Sequence, residues 1–297
     1  MSPLLLVVAL SLFNGQQPQQ PAKPSIGTID TTIAPGANFD KADFRLYIPA
    51  ELKTARAVVV LVPGSNGDGR PMADDEFWRG FAAKEKVALV ACRFTDKPHD
   101  QGFIEEYVNV SKGSGQALID AVSRFAEQSK HAELATVPFM MWGMSAGGEF
   151  NYEFVAWKPE RVAAFIVNKG GIYYSSLVSR AARAVPGILF VGEKDLDSRT
   201  FTVKGLFAVN RRAGALWALA EEPGLAHVVG SSQDLGARLF SAVLAAPAGA
   251  ITEKTGFLGD IRSLAIQPAA GASVANVLTS WFLTEDLAKA WAAAVQK

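Results

Sequence analysis

The chemistry open to this chain rests on a serine set between glycines, on three histidines, and on acids that follow an apolar run. Ser145 stands in Gly143-Met144-Ser145-Ala146-Gly147. The apolar Phe139-Met140-Met141-Trp142 precedes it, and Phe150-Asn151-Tyr152-Glu153-Phe154-Val155 follows with helical spacing. A strand, a sharp turn and a helix are therefore expected, with the serine hydroxyl raised above the sheet and the glycines letting the two backbones pass close together. A serine that only caps the helix is the simpler alternative. As a nucleophile, an unassisted hydroxyl is weak at neutral pH, so the reading demands a base and a group to orient it.

Only three histidines are available. His99 lies in the polar Lys97-Pro98-His99-Asp100, and His131 follows a helix end at Lys130, where an imidazole often meets the last carbonyls. His227 lies just beyond the last expected strand, in Glu222-Pro223-Gly224-Leu225-Ala226-His227. On sheets with a serine elbow the triad runs serine, acid, histidine along the chain, and only His227 has a strand-end acid between itself and Ser145. That acid comes from Gly192-Glu193-Lys194-Asp195-Leu196-Asp197, directly after the buried run Gly187–Val191. Asp195 is preferred, with Asp197 and then Glu193 as alternatives; Asp197 is also suited to the start of the helix that follows.

A tetrahedral intermediate needs donors for its oxyanion, each worth about 3 kcal/mol. The amide of Ala146, next to the serine, is one candidate. The second is Ser65, in the Gly-rich loop Pro63-Gly64-Ser65-Asn66-Gly67-Asp68-Gly69 that leaves a buried strand. No Gly-Lys-Ser or Gly-Lys-Thr follows this loop, so it does not read as a phosphate cradle. Catalysis of this kind needs no metal and no organic cofactor, and no residue is assigned to either.

These groups have to be positioned by a larger pattern. Val58–Val62, Val87–Phe94, Val162–Val167, Gly187–Val191 and Ala215–Leu219 read as buried strands, and Phe44–Ile48 alternates as a strand with one exposed face. Helical spacing runs through Asp74–Lys86, Ser114–Gln128 and Thr284–Val295. The acidic Asp74-Asp75-Glu76 reads as a favourable start to the first of these helices rather than a metal site. The fold class expected is α/β, a mostly parallel central sheet with helices on both faces. Between Val167 and Gly187 there is room for one helix but not for a cap domain.

With 297 residues, 49% of them hydrophobic, the chain can bury one sizeable core. Lys plus Arg and Asp plus Glu balance at 29 each, so no nucleic-acid partner or anionic membrane surface is implied. The single cysteine, Cys92, excludes an intrachain disulfide and a cysteine metal cluster, and reads as a small buried hydrophobe. Leu4–Leu10, continued by Leu12 and Phe13, gives way to a Gln/Pro tract. A run of about ten residues spans about 15 Å as a helix, half of a bilayer core. Residues 1–23 are therefore expected to be a signal peptide and linker, residues 24–297 the catalytic domain, and the protein secreted or periplasmic with no stable membrane insertion after cleavage.

Taken together, the elbow, the acid, the histidine and the Gly-rich loop make residues 40–245 resemble the α/β-hydrolase superfamily. Within it, Ser145-Ala146-Gly147-Gly148 and the short oxyanion loop look like secreted esterases of the feruloyl esterase and polyhydroxybutyrate depolymerase type. Such enzymes often begin that loop with His-Gly, where this chain has Pro63-Gly64. The tail from Ile251 onward lies outside the resemblance. The resemblance implies a Ser145–His227–Asp195 serine esterase, and the short Val167–Gly187 segment implies an open site, so that a small-molecule or polymer-linked ester is the expected substrate. Phe77, Trp78, Phe103, Met144, Tyr173 and Tyr174 are candidates for its acyl groove or for the core. A serine peptidase, an acyltransferase and a non-catalytic binding protein are the rival readings of the same fold.

Overall fold

The computed structural model describes residues 27–102, 104–272 and 276–296. The apolar N-terminal run, the Gln/Pro tract and Phe103 lie outside them. One sheet of eight strands organises the chain. In spatial order these are β1 (Thr28–Ile33), β2 (Lys41–Tyr47), β4 (Ala88–Thr95), β3 (Val58–Val62), β5 (Phe139–Gly143), β6 (Val162–Asn168), β7 (Gly187–Gly192) and β8 (Trp217–Glu222). β2 runs antiparallel to both neighbours, and every pairing from β4 to β8 is parallel. β1 carried no clear signal in the sequence and is an addition to the expected elements.

The inner strands are apolar without interruption because both of their faces are covered. In β3, Val58, Val60 and Val62 face one core, while Val59 and Leu61 face the other. On the first side lie α2 (Ser114–Ser129) through Leu118 and Phe125, α3 (Ala146–Trp157) through Phe150 and Phe154, and α5 (Asp197–Arg212) through Val203 and Phe207. The second side is closed by α1 (Glu76–Glu85), α6 (Ser232–Ala245) and α7 (Glu285–Val295), through Trp78, Leu235, Phe240 and Trp291. Cys92 is buried in β4, and that burial pushes its thiol well above the ordinary range, which leaves it unreactive.

Two local readings change. β2 has no solvent-exposed face at Arg45, whose side chain is fully buried. Its guanidinium is held by Asp30 of β1 at 2.8 and 2.9 Å and by Asp74 at 2.7 Å, the pairing a buried charge requires. The acidic cluster before α1 accordingly divides its work. Asp75 caps the helix by accepting from the Trp78 amide and Glu76 occupies the first turn, whereas Asp74 joins Arg45 and Arg79.

Between β6 and β7 there is only α4 (Arg180–Arg183), a single turn, and no large cap covers the carboxyl end of the sheet. The tail is part of the same body. β9 (Phe257–Asp260), β10 (Ile266–Pro268) and β11 (Thr279–Phe282) form a small antiparallel sheet in the order β10-β9-β11. This unit and α7 close the outer edge of β8. The Leu219 amide donates to Ser280 Oγ at 2.9 Å, and the Trp291 indole donates to the Leu219 carbonyl at 2.7 Å. An edge strand would otherwise expose those groups. Trp281 and Trp291 are buried packing residues.

Candidate active site

β5 ends at Gly143 and α3 begins at Ala146, so Met144 and Ser145 alone make the turn. Ser145 has φ 55° and ψ −127°, a conformation that costs a non-glycine residue about 1–3 kcal/mol. Backbone hydrogen bonds hold it there. Its amide donates to Asn168 O at 2.7 Å, and its carbonyl accepts from Gly148 at 2.8 Å and Glu149 at 3.1 Å. The glycines are required by close approach: a Cβ on Gly147 would overlap the carbonyl oxygens of Val62 and Pro63, and one on Gly143 would overlap Gly147. The cap alternative fails, since the Ser145 side chain accepts no hydrogen bond from the helix it precedes.

Of the three histidines, His227 alone reaches the expected acid. Its Nδ1 lies 2.8 Å from Asp195 Oδ2. The other Asp195 oxygen accepts from the Leu196 amide at 2.8 Å and from Arg199 at 3.1 Å. Burial raises the Asp195 pKa, but the hydrogen bonds from His227, Leu196 and Arg199 outweigh it, and the carboxyl is held below its ordinary value. A carboxylate at Nδ1 leaves Nε2 of the imidazole as the free base position. His131 pairs with the Glu133 carboxylate at 2.8 Å rather than with helix carbonyls, and His99 lies 3.6 Å from Asp96. Asp197 is exposed in the first turn of α5, and Glu193 accepts from the Gly224 amide at 2.7 Å. Neither competes for the imidazole.

The Ser145 hydroxyl makes no hydrogen bond to another described residue, so the Ser145–His227 contact is not formed in this structure. What joins the two segments is Asn168. Its carbonyl holds the Ser145 amide, while its carboxamide donates to Val229 O at 3.0 Å, two residues beyond the histidine.

The loop after β3 packs against the serine: a Cβ on Gly64 would lie 3.5 Å from Ser145 Cβ. Tyr107 OH accepts from the Asn66 amide at 3.1 Å and the Gly67 amide donates to Gly64 O at 3.0 Å, which leaves the Ser65 amide without an acceptor among the described residues. The Ala146 amide, first in its helix, likewise has none. Both are available to an anion. Beyond Ser65 opens a polar cleft of about 340 Å³ lined by Asn66, Asp96, His99, Gln101 and Glu105.

The aromatic candidates for the acyl groove fare differently. Trp78 is fully buried in the second core, and Phe77 faces a groove of about 460 Å³ between α1 and α6 that none of the site residues lines. Tyr174 is exposed near Asp96 and Glu106.

Several buried polar groups at the site were not singled out in the sequence. Glu149, in the first turn of α3, accepts from the Gly171 amide at 2.6 Å, and its pKa is raised to about 7, chiefly by burial. Lys169 and Glu222 form an ion pair with side chains 0% and 2% exposed, beneath the histidine loop. A charged residue at the end of an apolar run is ordinarily solvated, so local pattern carried no sign of these roles.

No protein-family model matches the chain, and no curated protein matches it in sequence. Solved structures do. A ferulic acid esterase superposes with TM-score 0.54 at 12% identity, over 73% of this chain and 97% of its own. Poly(aspartic acid) hydrolase-1 from Sphingomonas sp. KT-1 gives 0.51 at 14% identity, over 72% and 97%. An esterase of Pyrobaculum calidifontis gives 0.51 at 14%, over 74% and 85%. The chain has the α/β-hydrolase fold, and esterases are among its structural neighbours.

Proposed function

We propose that this protein is a serine hydrolase that cleaves carboxylic esters through an acyl-enzyme on Ser145. His227 Nε2 takes the hydroxyl proton as Oγ attacks the acyl carbon, Asp195 holds the imidazolium, and the amides of Ala146 and Ser65 receive the oxyanion. Collapse of the tetrahedral intermediate expels the alcohol, which takes the proton from His227. A water molecule deprotonated by the same imidazole then releases the acid. The observation that carries this reading is the His227–Asp195 hydrogen bond, linked through Asn168 to a serine at φ 55°. The mechanism requires Ser145 Oγ and His227 Nε2 to close to hydrogen-bond distance when substrate binds.

Support for an accessible or polymer-linked ester comes from the absence of a large cap and from the open polar cleft beside Ser65. The ester assignment itself draws on the esterase neighbours. One experiment tests the proposal. The protein, exported from its own N-terminus, is treated with a fluorophosphonate, and intact mass is read for the parent and for Ser145→Ala. One adduct on the parent and none on the variant is the expected result, with a signal segment from within residues 1–23 missing from the mass and aryl and polymer-linked esters turned over faster than matched amides. A folded parent that gains no adduct removes the proposal and leaves a binding protein on a hydrolase fold.

A further inference from the structure

We infer that Lys169 and Glu222 are positioning residues for His227, fixing the histidine loop in register with the nucleophile elbow; this rests on the Ser145–His227–Asp195 reading. Glu222 ends β8 and Lys169 follows β6, so they come from different strands and meet under the loop. One Glu222 oxygen takes the Lys169 ammonium. The other accepts from both the amide of Ser231 at 2.6 Å and its hydroxyl at 2.8 Å, which ties down the chain four residues after His227. The Lys169 ammonium also donates to Asn168 Oδ1 at 3.1 Å. That contact turns the Asn168 amide nitrogen toward Val229 O and Ser232 Oγ, at 3.0 and 2.9 Å. Asn168 is the residue whose carbonyl holds the Ser145 amide. One connected set of hydrogen bonds therefore runs from the nucleophile backbone to the far side of the histidine loop.

The near side is held as well. Lys194 N–H donates to Leu225 O at 2.8 Å, and a Cβ on Gly192 would lie 2.6 Å from the carbonyl oxygens of Leu225 and Ala226 and 3.1 Å from Lys169 Cε. The Lys169 stem and the backbone before the histidine thus both crowd the α-carbon of Gly192. Lys169 adopts φ 57°, so the backbone is strained to bring it there. A buried ion pair seldom adds net stability over an apolar pair of the same volume, whereas it demands one geometry. The function served is placement.

Charge supplies a signature that plain structural support lacks. Asp195 and Arg199 face the imidazole from the α5 side, Glu193 and Lys194 flank the loop before α5, and Lys169 and Glu222 lie beneath it. Neutralising Glu222 leaves a buried cation at the base of the histidine loop, and neutralising Lys169 leaves a buried anion there. The two changes push the imidazole in opposite directions.

The experiment measures kcat, KM and the pH profile of kcat/KM for the parent, Glu222→Gln, Lys169→Met and the double variant, with melting temperatures alongside. Each single variant is expected to lower kcat by about tenfold or more with KM within about twofold, since the loop loses its register. The acid limb of the profile should move to lower pH in Glu222→Gln and to higher pH in Lys169→Met, by on the order of half a unit. In the double variant the limb should return to the parental pH while kcat stays low. Parental kcat in the variants, or limbs that move together or not at all, would overturn the inference. Should the single variants fail to fold, the near-isosteric neutral double variant decides, with parental kcat refuting. Fluorophosphonate labelling of the parent at Ser145 separates the two levels: an unlabelled parent removes the triad and the positioning role with it, whereas a labelled parent with indifferent variants removes only the positioning role.

Discussion

Replacing Glu149 by glutamine should raise stability at alkaline pH and leave it nearly unchanged in acid. Glu149 is 4% exposed, with one carboxylate oxygen on the Gly171 amide and the other, Oε2, without a partner among the described residues. Burial lifts its pKa from 4.5 to about 7, with Glu105 adding to the rise and the Gly171 and Ile172 amides and Arg199 opposing it. The folded state therefore keeps a proton that the unfolded chain has released between those two values. Stability falls as pH rises through that window, because the unfolded state binds fewer protons there. Between pH 5 and pH 8 the loss amounts to about 2–3 kcal/mol. Glutamine keeps the acceptor for Gly171 and is neutral at every pH. For a chain of this size 1 kcal/mol corresponds to about 2 °C. Thermal unfolding followed by circular dichroism should thus show the variant-minus-parent difference in melting temperature growing by about 5 °C from pH 5 to pH 8. A difference that stays constant with pH would show that the Glu149 carboxyl ionises as an ordinary surface acid, and would refute the reasoning.

Two further outcomes test the triad assignment and the tail. Asp195→Asn should lower kcat for an activated ester by about 10³–10⁴ while Asp197→Asn leaves it within about twofold, because only Asp195 sets the tautomer of His227; equal losses in steady-state assays would reassign the acid. Trp291→Ala should cost about 3–5 kcal/mol in urea unfolding, the loss of a fully buried indole and its hydrogen bond to Leu219, within one cooperative transition; a separate early transition would mean that the tail unfolds independently of the sheet.

Much of the site was legible because its signals are local or ordinal. The glycines around Ser145 report a close crossing of backbones, and the steric overlap at Gly143 and Gly147 is that crossing. The order serine, acid, histidine selected His227 from three histidines, and in the structure it lies 2.8 Å from Asp195. Uninterrupted apolar runs reported strands covered on both sides, as β3 is by its two cores. Where the reading slipped, a charge had an interior partner remote in sequence. Arg45 looked like the exposed phase of an alternating strand because Asp30 and Asp74, which neutralise it, lie on separate elements. Trp78 stayed open between groove and core because its interior partners, Trp142 of β5 among them, lie far along the chain.

By itself, then, the sequence determined the strand-and-helix alternation, the elbow that strains Ser145, and the chain order of the serine, the strand-end acids and the histidine, since each follows from periodicity or from contacts within a few residues. Only the tertiary structure decided which acid meets His227, how Asn168 couples the elbow to the histidine loop, why Lys169 and Glu222 are buried together, and how residues 251–296 close the edge of β8. Those depend on pairings between groups 23 to 72 residues apart. A buried polar partner is specified by where the backbone brings it, and side-chain type alone does not distinguish a solvated lysine from one that an opposing carboxylate holds in the core.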